Sequence, residues 1–245
     1  MIIGIIGANG RMGKAIIEVA EEEGIKIGAL IEKEGITGEY KGIKYESDLR
    51  NVYDKVDVFL EFTDPEATYQ NTLRLLETPK PYVVGTTALE EKHFEKFREL
   101  SLKVPVFYSP NMSLGIHLIA GFFRKFSEFL KEYEIEIMEI HHTGKKDAPS
   151  GTALYLFNEW KENVNNSAFP VYERRGLKKR GEVLICGFRI GNIPGEHRVY
   201  LSKGDEVIEL THKVYSRKVF ARGALMVARK ILNFKNGFYT FKEIL

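Results

Sequence analysis

The stretch MIIGIIGANGRMG, Met1 to Gly13, decides the fold. Ile2 to Ile6 form a short apolar run, the pattern of a strand covered on both faces. The run stops at Gly7 and passes into Arg11 to Glu23, where Met12, Ile16, Ile17 and Ala20 recur at helical spacing. Gly7, Gly10 and Gly13 make the pattern G-x-x-G-x-x-G, with Asn9 where the commoner G-x-G-x-x-G has its second glycine. Such a turn suits a dinucleotide: it is sharp, it lets backbone approach a pyrophosphate without a Cβ in the way, and it aims helix N-terminal N–H groups at that anion. A glycine-rich turn can also be purely structural, so its surroundings decide.

Outward from this unit, apolar runs at Ile25 to Ile31, Val56 to Phe62, Tyr82 to Val84 and Val104 to Phe107 predict further strands. Helical patterns at Pro65 to Leu76 and Glu90 to Leu100 fall between them. Wholly apolar strands alternating with helices predict a parallel, doubly wound α/β sheet. The second strand ends at Ile31 and Glu32 follows, nineteen residues after Gly13, where an acidic side chain would meet a ribose hydroxyl. Lys33 beside it and Arg11 in the turn are cations able to meet a 2′-phosphate. Glu32 thus favours NADH while the cations admit NADPH; a solvated Glu-Lys pair is the plain alternative. Gly85-Thr86-Thr87 and Pro110-Asn111-Met112 follow the fourth and fifth strands, at the carboxyl ends where ligands of open α/β sheets collect.

After Pro110 the texture changes. A long helical pattern over Leu114 to Glu132 precedes YEIEIMEIHH, which alternates like a half-buried strand. A helix begins near Ser150. Beyond Asn163 come a basic stretch, Arg174 to Arg180, and three strand-like runs at Val183 to Ile190, His197 to Leu201 and Glu206 to Tyr215. Strands without intervening helices predict an antiparallel or mixed sheet in a second, α+β domain. A last helix is expected over Val219 to Leu232.

The bulk numbers exclude several classes. With 36 Lys+Arg against 34 Asp+Glu the net charge is +2, which gives no general pull towards nucleic acid or a membrane surface. A single cysteine, Cys186, leaves no internal disulfide framework and fits a reducing compartment. The first residues read as a strand rather than a leader, and no apolar run reaches a membrane span, so a cytoplasmic protein is expected.

The second motif is MEIHHTGKKDAPSGTA, Met138 to Ala153. Strand alternation sends His141 and His142 to opposite faces, and neither a cysteine cluster nor a helical H-E-x-x-H accompanies them, so no metal is expected. Pro149 and Ser150 mark a helix start, continued by Leu154, Leu156, Phe157 and Trp160. Gly151 and Thr152 would then lie at the positive end of a helix dipole, an anion site. Lys145 and the histidines lie just upstream, and together these groups would suit carboxylates while also moving protons. Lys146 is expected to face solvent, and His197 and His212 to be satisfied sheet residues.

The two motifs together closely resemble the dihydrodipicolinate reductase family, also called the 4-hydroxy-tetrahydrodipicolinate reductase family, of lysine and diaminopimelate biosynthesis. The likeness continues through EFTDPEAT, VVGTTAL, SPNMSLGI, GEHRVYL, ELTHKVYSRKVFARGAL and GFYTFKEIL. It implies a Rossmann dinucleotide-binding domain from residues 1–112 with 217–245, and an α+β substrate and oligomerisation domain with a mixed sheet from residues 113–216. It further implies a homotetramer, and NADH- or NADPH-dependent reduction of a small cyclic imine dicarboxylate followed by protonation. Carried over by motif, His141 resembles the acid/base histidine and Lys145 the proton-donating lysine. His142, Gly151 and Thr152 resemble the substrate contacts. Cofactor contacts would fall on Gly7, Ala8, Asn9, Gly10, Arg11, Met12, Glu32, Lys33, Gly85, Thr86, Thr87, Ser109, Pro110, Asn111 and Met112. Which of His141 and Lys145 hands over the proton stays open at this point. Glu61 stands where the family has an aspartate, and the segment from Asn163 to Cys186 is short. A two-domain chain is also expected to close on its ligands.

Overall fold

In chain order the elements are β1 (Ile2–Ile6), α1 (Arg11–Glu22), β2 (Lys26–Ile31), β3 (Glu39–Tyr40), β4 (Ile43–Glu46), β5 (Val58–Glu61), α2 (Pro65–Glu77), β6 (Tyr82–Val84), α3 (Glu91–Ser101) and β7 (Pro105–Tyr108). Then follow α4 (Leu114–Lys125), α5 (Ser127–Leu130), β8 (Glu134–His141), α6 (Gly151–Asn163), β9 (Phe169–Val171), β10 (Glu182–Arg189), β11 (Gly195–Lys203) and β12 (Glu206–Val214). The chain finishes with α7 (Lys218–Ile231), β13 (Gly237–Tyr239) and α8 (Phe241–Ile244). This computed structural model describes residues 1–245. It divides into two compact units, one of Met1–Met112 with Arg217–Ile244 and the other of Ser113–Ser216.

The first unit holds an eight-stranded sheet in the order β13-β7-β6-β5-β1-β2-β4-β3, parallel throughout except for the β3–β4 hairpin. From β1 the chain builds outward through β2 on one side, then crosses back to β5, β6 and β7 on the other. The order therefore reverses between β1 and β5, which is where open α/β sheets bind ligands. Helices α2 and α3 cover one face, where Leu75, Phe97 and Leu100 bury against Ile6, Phe59 and Val106. Helices α1 and α7 pack together and carry ion pairs from Lys218 to Glu18 and Glu22 and from Arg229 to Glu23. Asp64 starts α2 by accepting the Ala67 N–H at 3.0 Å, with Pro65 in the first turn, where its missing N–H costs nothing.

The second unit holds a mixed five-stranded sheet, β12-β11-β8-β10-β9. β8 runs parallel to β10 and antiparallel to β11. Helices α4 and α6 cover one face, where Trp160, 1% exposed, meets Phe123 edge-on at 5.5 Å between ring centroids. Burying a side chain of this size contributes roughly 1.5–3 kcal/mol. Along β8, Ile135, Ile137, Glu139 and His141 are buried, while Glu136, Met138 and Ile140 on the other face are only partly covered. Leu184, Cys186 and Phe188 continue that second face on β10.

The helix expected over Leu114 to Glu132 is interrupted at Phe126, whose φ of −108° and ψ of 17° leave helical geometry. Ile116, Ala120 and Phe123 are buried, and the next position of that register is Ser127, so the break lets Leu130 take the core place instead. Strands β3, β4, β9 and β13 lie outside the strands expected from sequence; each is two to four residues long, too short to show a clear alternation. No helix is long and apolar enough to cross a membrane.

Candidate active site

The glycine turn meets its steric requirement. Gly7 has φ +82°, and a Cβ there would lie 2.7 Å from the Phe62 carbonyl oxygen; a Cβ on Gly13 would lie 2.3 Å from the Gly7 oxygen. Hydrogen alone fits at both places, which holds the turn tight and α1 close against it. Gly7 donates its N–H to the Ile31 oxygen at 2.9 Å, tying the turn to the end of β2. Directly beyond, the Glu32 carboxylate accepts the Asn9 N–H at 2.5 Å.

Around this junction opens a cleft of about 770 Å³ that includes Gly7, Asn9, Gly10, Glu32 and Lys33. The structure thus brings five of the sequence candidates together. Ala8 is buried, and Arg11, Met12, Gly85, Thr86, Thr87, Ser109, Pro110, Asn111 and Met112 lie outside that lining. Gly85 follows β6, where a Cβ would run into the Phe62 ring at 2.1 Å. Thr86 is buried and accepts the Thr68 hydroxyl at 2.8 Å. Ser109 follows β7 and donates to the Asn111 oxygen at 2.6 Å. The cleft adds residues the sequence reading did not single out, among them Asp64, Asn71 and Arg74 from the α2 segment. The helical pattern located that segment, but only the strand order shows which sheet end it overhangs.

Glu61, at the end of β5, is wholly buried and accepts hydrogen bonds from Thr63, from Asn71 at 2.9 Å and from Tyr82 at 2.9 Å. Burial raises its carboxyl above the ordinary range, against the lowering effect of those three donors. The longer side chain standing in for aspartate is therefore fully engaged.

In the second unit, β8 ends at His141, which is 7% exposed. His141 Nδ1 lies 2.5 Å from Glu139 Oε2. Glu139 also accepts both Arg189 terminal nitrogens, at 2.9 and 2.8 Å, and the Ser150 N–H at 3.0 Å. Burial pushes the Glu139 carboxyl up, but the hydrogen bonds from His141 and Arg189 outweigh it and bring it to about 2. Ser150 caps α6 as expected, its hydroxyl accepting the Ala153 N–H at 3.2 Å, and His197 Nε2 lies 3.1 Å from the same hydroxyl.

Lys145 pairs with Asp147, Nζ lying 2.8 Å from Oδ1, and the Gly151 N–H points to Asp147 Oδ2 at 3.4 Å. A carboxylate of the chain itself therefore bridges the lysine and the helix start. Burial raises the Asp147 carboxyl, but its contacts with Lys145 lower it overall. His142 lies just past the strand, half-buried, its N–H donated to the Ile193 oxygen at 2.8 Å. Thr152 follows Gly151 in the first turn of α6, and Lys146 is exposed.

His197 and His212 are satisfied at one nitrogen only. His212 Nε2 meets the Ser113 hydroxyl at 2.8 Å, and the buried Nδ1 of each histidine has no partner. Burial first, and the nearby His141 second, push His197 down to about 3. No group of three or more His, Cys, Asp or Glu side chains is placed to hold a metal ion. The sequence reading missed Glu139, Arg189 and Asp147. Alternation along β8 was the available signal for Glu139, since it shares a face with His141.

Comparison with known proteins gives one answer. Residues 1–112 match the sequence model described as dihydrodipicolinate reductase, N-terminus, and residues 115–245 match that of its C-terminus. The 4-hydroxy-tetrahydrodipicolinate reductase of Thermosipho africanus is 39% identical over 245 residues, covering 100% of this chain and 98% of that protein. The one from Staphylococcus haemolyticus is 37% identical, covering 96% and 97%. Among solved structures, a dipicolinate-bound dihydrodipicolinate reductase from Paenisporosarcina sp. TG-14 superposes with a TM-score of 0.85 at 21% identity, covering 100% and 99%. The DAP dehydrogenase of C. glutamicum reaches 0.61 at 12% identity, covering 98% and 92%; at these identities both likenesses speak for the fold alone. With both halves of the family pattern matched, and relatives similar along the whole chain, this protein belongs to the dihydrodipicolinate reductase family.

Proposed function

We propose that the chain reduces 4-hydroxy-tetrahydrodipicolinate to tetrahydrodipicolinate, the reductase step of lysine biosynthesis, with His141 moving the proton and Lys145 binding the substrate. The observation that carries the site assignment is the ionised, buried Glu139 holding His141 beside the start of α6. Membership of an oxidoreductase family with a Rossmann-like unit implies a nicotinamide cofactor, and the hydrogen-only positions at Gly7 and Gly13 fit its pyrophosphate. Glu32 suits a ribose 2′-hydroxyl, while Lys33 and Arg74 in the same cleft suit a 2′-phosphate, so both NADH and NADPH are accepted.

When bound, the reduced nicotinamide supplies a hydride to the unsaturated cyclic imine. The rest of the reaction falls to the chain. Lys145 and the Gly151 N–H release Asp147 and take one substrate carboxylate in its place, with Thr152 and His142 alongside. Loss of the substrate hydroxyl as water precedes reduction in the same site. His141, its Nδ1 committed to Glu139, has Nε2 left to give a proton to the electron-rich enamine, and Lys145 offsets charge at the ring nitrogen.

The second unit also offers an assembly surface. Met138, Ile140, Cys186, Phe188 and Tyr200 lie on the sheet face opposite α4 and α6, and they support association of copies through that face into a homotetramer. Mixing the chain with NADH or NADPH and freshly made substrate, while following the nicotinamide absorbance band, tests the activity. Cofactor binding without substrate-dependent oxidation would remove the enzymatic reading.

A further inference from the structure

We propose that Glu139 is a positioning residue of the reaction: it sets which nitrogen of His141 faces the substrate and, by the same carboxylate, locks the start of α6 against that histidine. The proposal rests on the reading of His141 as the proton-moving group.

Four donors converge on this one side chain. Oε2 takes His141 Nδ1 at 2.5 Å and Arg189 Nη1 at 2.9 Å; Oε1 takes Arg189 Nη2 at 2.8 Å and the Ser150 N–H at 3.0 Å. Together they fill the roughly four lone-pair directions of a carboxylate, and the side chain is fully buried. An ionised carboxylate only accepts, so the proton between it and the imidazole belongs to His141 Nδ1. Nε2 is then the nitrogen available for exchange with substrate. A histidine without that partner would be free to adopt the other tautomer or to turn its ring, and would present the wrong atom.

The surroundings are shaped for this pair. Gly187 lies on the neighbouring strand, and a Cβ there would come within 2.7 Å of Glu139 Oε1. Gly195 lies across from Nε2, where a Cβ would sit 3.1 Å away. Arg189 balances the buried negative charge and also donates Nη2 to the Asp147 carbonyl at 2.5 Å, fixing the loop that carries Lys145. One carboxylate and one guanidinium thus hold the histidine, the lysine loop and the helix start in register, although none of the four donors on Glu139 is the substrate itself.

A purely structural ion pair would show the same distances, so the test asks whether Glu139 acts through His141. Turnover is measured for Glu139→Gln, His141→Gln and the double variant, with cofactor affinity as control. The expected result is a loss of kcat of roughly 10- to 100-fold for Glu139→Gln alone, and less than about a twofold further loss once His141 is already glutamine. Wild-type kcat in Glu139→Gln, or the same fold loss in both backgrounds, overturns the proposal. Full turnover in His141→Gln alone removes the reading of His141 and this proposal with it. Reduced turnover there, with Glu139→Gln unaffected, removes only the proposal. A second measurement is made on the wild-type chain, with His141→Gln serving only to assign the signals: ¹⁵N-histidine NMR at alkaline pH. A neutral His141 protonated on Nδ1 is expected, and protonation on Nε2 overturns the assignment.

Discussion

His141 and Glu139 stand two residues apart on the same face of β8, Nδ1 2.5 Å from Oε2, while Ile140 between them points to the opposite side of the sheet. Strand alternation makes this pair, with no loop to reorganise. His141→Ala is expected to lower kcat by about 10²- to 10⁴-fold, the usual worth of a positioned acid, and to leave NADH affinity near wild type. Steady-state kinetics alongside a nicotinamide fluorescence titration separates the two effects.

Asp147 holds Lys145 and the Gly151 N–H in the free protein, so the proposed binding of a substrate carboxylate at these groups requires its displacement. Asp147→Asn removes an exposed charge pair and should tighten binding of dipicolinate about 2- to 5-fold, the scale of a surface ion pair. Lys145→Ala should raise KM and lower kcat together. Calorimetric titration with dipicolinate decides the first point, and unchanged affinity would show that Asp147 is not a competitor.

For the cofactor, Glu32→Gln should raise KM for NADH more than KM for NADPH, because the charge that suits a 2′-hydroxyl repels a 2′-phosphate. Lys33→Ala combined with Arg74→Ala should do the reverse. The four KM values relative to wild type provide the check, and equal shifts for both cofactors would contradict the assignment.

The folded state should weaken in mild acid. His197 is held neutral down to about 3 by burial and by the neighbouring His141, whereas in the unfolded chain a histidine takes up its proton near pH 6.5. Protons therefore favour the unfolded chain in this window. Stability is complete above about pH 6.5 and falls as pH drops from there to about 3, by up to about 1.4 kcal/mol per pH unit from this one group. Glu139 adds its loss only lower, as pH falls from the ordinary carboxylate range to about 2. Urea melts across pH should show the first slope, and His197→Gln should flatten it.

Phe188, 48% exposed on the face of the second sheet opposite α4 and α6, tests assembly. Phe188→Glu should shift sedimentation from tetramer towards smaller species, because it buries a charge in a largely apolar contact. A wild-type chain that sediments as a monomer would end the assembly proposal.

Much of this was legible in the residues. G-x-x-G-x-x-G located the turn that the structure places between β1 and α1, and the carbonyl of Phe62 explains why its first glycine admits no Cβ. Ser150 was readable as a cap because the capping oxygen and the N–H it accepts lie three residues apart. Arg189 and Arg74 were not readable in this way. Each reaches its site from a remote element, and periodicity reports which face a residue takes but not which loop lies beneath it. Asp147 was visible as a residue, yet only folding shows that it pairs with Lys145 and accepts the Gly151 N–H. His197 was expected to be a satisfied sheet residue; the pairing of β11 with β8 instead sets it beside His141, with its Nδ1 lacking a partner.

The hydrogen that stands for a side chain at Gly187 has a meaning for anyone randomising this strand. Its neighbours Cys186 and Phe188 lie on the opposite side of the sheet, on the proposed assembly face, and should accept other apolar side chains in a library selected for growth without lysine. At Gly187 the Glu139 carboxylate, pinned by four bonds, has nowhere to retreat from an added methyl. Even alanine should therefore drop out of the selection, leaving a gap one residue wide between two positions that admit other apolar side chains.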